Sequence, residues 1–184
     1  MSDNIRSNIN LIEASTVPAK LETTPLPYGL GDLYPVLSKE NLNTHYEHLA
    51  KNYAKKYNAG EGDPTFNRAG NFLHNKLFTK LQPQKGANKP KGPVLALIEA
   101  NFKSYEDFKT EFKRIALELH GSGWVYLATD GTIKTIKNHQ IRLDICVLVD
   151  LWEHAYLDDY QWDKEKYLDN IWKIINWEVC SNRI

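Results

Sequence analysis

The hydrophobic period of the chain switches at Gly121-Ser122-Gly123, and that switch confines it to a mixed fold in which a helical part precedes a small sheet. Upstream, apolar residues recur at helical spacing. Ser38 stands where a cap belongs, ahead of Leu42, Tyr46, Leu49, Tyr53 and Tyr57, which predicts an amphipathic helix to about Tyr57. The Gly- and Asp-rich break over 58–64 ends it. Phe66, Gly70, Leu73, Leu77 and Leu81 then mark a second helix, so the pair predicts an αα-hairpin. A Pro-, Gly- and Lys-rich linker covers 83–93, followed by a short helix over 94–102. Ser104 and Asp107 form a capping box before the stripe Tyr105, Phe108, Phe112, Ile115 and Leu119. Past the switch, residues 124–128, 132–137 and 143–149 read as strands, with Asp130-Gly131 as a hairpin signal, and helical spacing returns over 152–177. The expected class is α+β: an N-terminal α-helical hairpin followed by a C-terminal α+β half with a small three-stranded antiparallel sheet. The expected divisions are a flexible arm (1–25), a hairpin domain (26–82), the linker (83–93) and a C-terminal domain (94–184).

Composition narrows the function classes. Lys plus Arg and Asp plus Glu are both 23, so there is no global positive field for nucleic acid, and no nucleic-acid partner is expected. No apolar run, 145–149 included, exceeds five residues, far below the ~20 that cross a bilayer. Two cysteines, Cys146 and Cys180, cannot staple a fold of this size, so its core rests on hydrophobic burial. The first 25 residues carry neither an apolar signal core nor an Arg-rich amphipathic pattern, which makes the cytoplasm the expected compartment.

Chemistry is concentrated in histidines and one aspartate. His45 lies three after Leu42 and four before Leu49, and His74 four after Gly70 and three before Leu77, so the hairpin can aim both imidazoles at one interior point. Asp150 closes the apolar run 145–149, with His154 four residues on. A carboxylate at the end of a buried strand is costly unless something positive or hydrogen-bonding meets it. Three imidazole nitrogens and one carboxylate oxygen suit iron, manganese or zinc. By themselves these residues fit either a His/His/Asp/His metal site or an Asp–His hydrogen bond within a structural core.

The segment Asp150-Leu151-Trp152-Glu153-His154-Ala155-Tyr156 resembles the DxWEHAY signature of the iron/manganese superoxide dismutases. Leu26-Pro27-Tyr28 and Leu33-x-Pro35, Gly121-Ser122-Gly123-Trp124, and Trp172 with Asn176-Trp177-Glu178 follow in family order, so the resemblance runs from about Leu26 to Val179. It implies one manganese or iron ion per chain, held by His45, His74, Asp150 and His154. Many bacterial members have Asn-His at the second position, and an ungapped alignment to those puts Asn75 there, turning the side chain by about 100°. Phe66-x-x-x-Gly70-x-x-Leu73-His74 aligns without a gap to the archaeal-type form instead, which implies His74. His139 is implied to bond the metal-bound water or hydroxide, Tyr53 to gate the substrate channel, and Gly70 to leave room for a side chain from the other half. Phe78, Trp124 and Trp152 are implied to line a dry shell, and Glu153 to bond the ligand histidine of the opposite subunit in a homodimer.

The chain departs from the family at Leu49 and Leu157, where a histidine and a tyrosine pair across the interface. Phe78 replaces the usual tryptophan, and Lys164 stands for a channel-mouth arginine. The implied reaction is disproportionation of superoxide to dioxygen and hydrogen peroxide. Two other readings are a catalytically inactive structural or assembly protein on the same fold and a zinc hydrolase. The second lacks any general base other than Glu153.

Overall fold

The first helix begins where Ser38 Oγ accepts the Asn41 N–H at 3.0 Å. The computed structural model describes residues 19–184. From Ser38 the chain runs as α1 (Lys39–Leu42), a π-helical segment (Asn43–Ala50) and α2 (Lys51–Ala59), with right-handed helical backbone at both junctions. The wider π turns advance the phase of the buried face. Leu42 and Tyr46 are buried as their spacing predicts, but beyond them Ala50 and Ala54 take the inward positions and Leu49 and Tyr53 are only half-buried. Inward alanines let the second helix come close.

Gly60, at φ 70°, ends α2 in the left-handed conformation that costs glycine least. Asp63 then caps α3 (Pro64–Phe78) by accepting the Phe66 N–H at 2.8 Å, with Pro64 in the first turn. Gly70, Leu73, His74, Leu77 and Phe78 are buried along α3. Leu81, expected on this helix, lies beyond its end and bridges to Ile175 instead. Gln82 N–H donates to Ile174 O at 2.8 Å and Asn176 N–H to Lys80 O at 2.7 Å, so the hairpin's exit is stitched to the C-terminal segment.

The second half opens with α4 (Gly92–Phe102) and α5 (Tyr105–Leu117), the latter capped by Ser104. The sheet has order β2-β1-β3, with β1 (Gly123–Ala128) antiparallel to both β2 (Ile133–Lys137) and β3 (Ile145–Asp150). Every residue of β1 and β3 is buried. Trp124 pairs with Ile136 on one side and Asp150 on the other. Residues 152–177 do not form one helix. They break into a 3₁₀ turn (Glu153–Ala155), α6 (Leu157–Tyr160), α7 (Lys164–Asn170), a second 3₁₀ turn (Ile171–Ile174) and α8 (Trp177–Ser181). The breaks are local: Gln161 takes φ 53°, Asp163 caps α7 from outside, and Ile175 is extended.

Hairpin and sheet share a hydrophobic core that runs from Leu33 to Cys180. Of the arm predicted over 1–25, residues 1–18 lie outside the described residues. Residues 21–24 are strapped to the hairpin by side-chain amides. Asn58 accepts from Leu21 N–H at 2.8 Å and donates to Leu21 O at 2.9 Å, and Asn75 accepts from Thr24 N–H at 2.8 Å and donates to Glu22 O at 2.9 Å.

The start of β1 tolerates no side chain. A Cβ on Gly123 would overlap the Ile136 carbonyl oxygen and lie 2.9 Å from Leu119 Cδ2, so the β1–β2 ladder itself would have to shift. Gly123→Ala is therefore expected to destabilise the fold by about 1–3 kcal/mol, read as a lowered urea midpoint; an unchanged midpoint would show that the ladder can relax there.

Candidate metal centre

Four side chains from three separated stretches converge under the sheet. The π-helical segment supplies His45, α3 supplies His74, the last residue of β3 is Asp150, and the 3₁₀ turn after it returns His154. Their candidate ligand atoms all lie within 4.8 Å of one another. Asp150 Oδ2 stands 3.2 Å from His45 Nε2, 3.3 Å from His154 Nε2 and 3.8 Å from His74 Nε2. Yet none of these four atoms makes a hydrogen bond, and all four are buried. The nitrogens come close to the oxygen without being aimed at it.

The supporting contacts explain the aim. His74 Nδ1 donates to Gly70 O at 2.7 Å; a carbonyl only accepts, so the proton is on Nδ1 and the Nε2 lone pair faces the cluster. Asp150 Oδ1 accepts the Trp152 N–H at 2.8 Å, which turns the chain after β3 and leaves Oδ2 for the interior. Burial pushes His45 and His74 below the ordinary imidazole pKa, so both are neutral near pH 7. Burial works to raise the Asp150 carboxyl, but the His154 and His45 imidazoles beside it prevail and hold it below the usual carboxylate range. The set is three imidazoles around one ionised carboxylate.

Each unpartnered buried polar atom costs ~1–3 kcal/mol, more for a charged one. Four of them around one point are the signature of a missing partner, and a cation satisfies all four at once. An N₃O donor set without thiolate fits iron, manganese or zinc. The residues present thus fit a single transition-metal ion.

A second network borders the cluster. Trp124 Nε1 can only donate, and it does so to His139 Nδ1 at 3.2 Å. His139 therefore carries its proton on Nε2, which donates to Tyr53 Oη at 2.9 Å. Burial lowers His139 to about 4 and raises Tyr53 to about 12, so both are neutral. A Cβ on Gly70 would meet Tyr53 Cδ1 at 2.8 Å, so the glycine makes room for a ring of its own hairpin.

Aromatic rings close the remaining sides. Phe78 packs edge-on to His45 at 5.0 Å, Trp124 edge-on to His74 at 5.1 Å, and Trp152 stacks on His139 at 4.8 Å and on His154 at 5.8 Å between ring centroids. Phe66 was seen in the sequence only as part of a helical stripe; its ring lies 4.6 Å from that of His139. Nothing in its spacing marks it, because the contact depends on the loop that delivers His139. Glu153 is exposed, with Ser122 Oγ donating to it at 3.2 Å. Lys164 places Nζ 5.6 Å over the Tyr156 ring.

Residues 90–183 match the family model for the C-terminal domain of iron/manganese superoxide dismutases. A "Superoxide dismutase [Mn/Fe]" of Porphyromonas gingivalis is 34% identical over 88% of this chain and 98% of its own length. The chain belongs to the iron/manganese superoxide dismutase family. Other members align as fully: a "Superoxide dismutase [Fe]" of Bacteroides fragilis is 31% identical over 89% of this chain and 98% of its length, and one of Pyrobaculum aerophilum 30% over 87% and 90%. The four-residue cluster thus lies within a superoxide dismutase-family chain matched over most of its length.

Within that family frame, the neighbours His74 and Asn75 have opposite commitments. His74 turns Nε2 into the cluster, and Asn75 spends its amide on the 22–24 strap. His74→Ala is expected to abolish stoichiometric metal binding, and Asn75→Ala to retain it while loosening the strap, as read by elemental analysis of the purified variants. The reverse pattern would remove His74 from the metal centre.

Proposed function

We propose that the protein is a superoxide dismutase that converts two superoxide anions and two protons to dioxygen and hydrogen peroxide at one iron or manganese ion per chain. The observation that carries this reading is the set of four buried, unpartnered ligand atoms of His45, His74, Asp150 and His154 around one point. His45, His74, Asp150 and His154 would hold the ion, which would supply one-electron redox chemistry between a trivalent and a divalent state. Asp150 contributes the only formal negative charge among the four residues, so with a trivalent ion held there the site would keep a net positive charge that favours an anion. His45 and His74 are already neutral and need lose no proton to bind the ion.

The remaining residues control protons and water. Trp124 holds His139, which holds Tyr53, so the phenol keeps its own O–H free to donate towards the reacting anion. Gly70 leaves the space that ring occupies. Phe78, Trp124 and Trp152 exclude bulk water, which strengthens each remaining hydrogen bond at the centre. Retention of the whole ligand set argues against a scaffold that has given up the chemistry.

A homodimer belongs to this reading. His154 is 16% exposed, against 2% or less for the other three ligands, so the outer part of its side chain reaches the surface while Nε2 stays buried. Exposed Glu153 and half-buried Leu49 and Leu157 are the residues a second copy would cover. We propose the cytoplasm as its compartment, with which the two buried free thiols, Cys146 and Cys180, are compatible. Among the described residues no helix is long and apolar enough to cross a membrane.

Elemental analysis paired with superoxide-dismutating activity per metal tests the reading. About one iron or manganese per chain with activity is the expected result, and metal without activity after reconstitution would leave a scaffold. Asp150→Ala is expected to lose metal and activity together. Gly70→Ala is expected to keep the metal but displace Tyr53 and slow turnover about 10-fold or more, in the range seen when outer groups of a metal site are disturbed.

A further inference from the structure

The in–out order of β2 breaks one residue past the strand's end. Thr135 is exposed, Ile136 buried and Lys137 exposed, as a strand with one face on the core requires. The same alternation carried onward would turn Asn138 inward and leave His139 outside, on the side of Lys137. The structure has the reverse: Asn138 is exposed and His139 is buried. The inversion coincides with the backbone of Asn138, which takes φ 54°. Among the described residues only two other non-glycine residues, Lys103 and Gln161, have a positive φ. Asparagine tolerates this left-handed region better than most residues do, and a β-branched residue tolerates it worst. The Asn138 side chain makes no hydrogen bond among the described residues. Its N–H donates to Ser122 O at 3.0 Å, one step beyond the last β1–β2 pair, Gly123 with Lys137. Residue 138 thus stays on the ladder through its N–H and leaves it through φ, and the next side chain swings inward. There Trp124 Nε1 lies 3.2 Å from one ring nitrogen of His139 and Tyr53 Oη 2.9 Å from the other.

We infer that Asn138 is the positioning residue for His139: its left-handed backbone reverses the in–out order set by β2 and delivers the imidazole to Tyr53. Asn138 acts through His139 and not on the reacting atoms. Its kinetic consequence rests on the dismutase reading, whereas its geometric consequence rests on the Tyr53–His139 bond alone. The position demands a backbone conformation and no particular side chain. That sets it apart from Phe66 and Trp152, whose rings pack on His139 at 4.6 and 4.8 Å between centroids. Glycine is therefore the conservative replacement at 138, and valine the disruptive one.

The test is a set of substitutions read by crystal structures of the metal-loaded full chain and by kcat for superoxide decay. Asn138→Gly is expected to keep the 2.9 Å His139–Tyr53 bond and to stay within about 2-fold of the wild-type kcat, because glycine takes a positive φ at no steric cost. Asn138→Val is expected to return residue 138 to extended backbone, turn His139 outward and break that bond. Metal content should be unchanged and kcat about 10-fold lower or more, as when other outer groups of a metal site are disturbed. Lys103→Val imposes the same misfit between α4 and α5. It should lower the urea midpoint yet keep the His139–Tyr53 bond and kcat, which separates positioning from a general loss of stability. If Asn138→Val does not fold, Asn138→Ala serves instead, with His139 expected in both inward and outward orientations and kcat below that of the glycine variant. A bond lost in Asn138→Gly, or one kept intact in the valine or alanine variant, would overturn the inference. If the metal-loaded wild type proves inactive, the dismutase reading fails, and the crystal structures alone decide whether Asn138 sets His139.

Discussion

An ionised carboxylate at the end of a fully buried strand is the constraint on which the rest of the structure depends. Asp150 is 0% exposed, and an isolated carboxylate there would cost several kcal/mol. Three neighbours in β3, Val147, Leu148 and Val149, are also 0% exposed, and each gains ~1.5–3 kcal/mol by burial, so the strand can carry its charged end inward. The charge then dictates what surrounds it. Three imidazoles meet Oδ2 at 3.2–3.8 Å, but their nitrogens are not turned onto it. A fold that only needed to neutralise Asp150 would have aligned one of them as a donor. This one leaves three imidazole nitrogens and a carboxylate oxygen without hydrogen-bond partners around a common point, which is the geometry of a binding site and not of a satisfied core.

Several of the surrounding groups are committed to fixed partners. His74 Nδ1 is committed to Gly70 O, Asp150 Oδ1 to the Trp152 amide, and His139 to Trp124 and Tyr53. Each contact removes a tautomer or a rotamer that would compete with the ligand arrangement. Gly70 serves twice: its carbonyl orients the His74 ring, and its missing side chain admits Tyr53. A helix position that reads in the sequence as a small residue on an apolar stripe is therefore the hinge between the ligand set and the proton network.

Parts of this were legible in the residue order for identifiable reasons. The hairpin, the capping serines and the three strands follow from periodicity and local chemistry, which act over a few residues. Asp150 and His154 stood out because a charge closing an apolar run is costly wherever it folds. The broken helical region over 152–177 was not legible, since Gln161 at φ 53° and the extended Ile175 interrupt a spacing that continues in the sequence. Nor was the shift of the buried face from Leu49 to Ala50, because a π turn inserts its extra residue without any marker in composition.

By itself the sequence determined the fold class, the candidates His45, Asp150 and His154 and the membership signature, because periodicity and residue order are properties of short stretches. Only the tertiary structure decided between His74 and Asn75, adjacent on one helix about 100° apart. It sends the Asn75 amide to the strap at 22–24 and the His74 nitrogen to the interior. It also decided which ring Gly70 accommodates and which nitrogen of His139 bears the proton. Those choices are set by partners 15 to 86 residues away along the chain, and their distances and directions exist only once hairpin and sheet have packed.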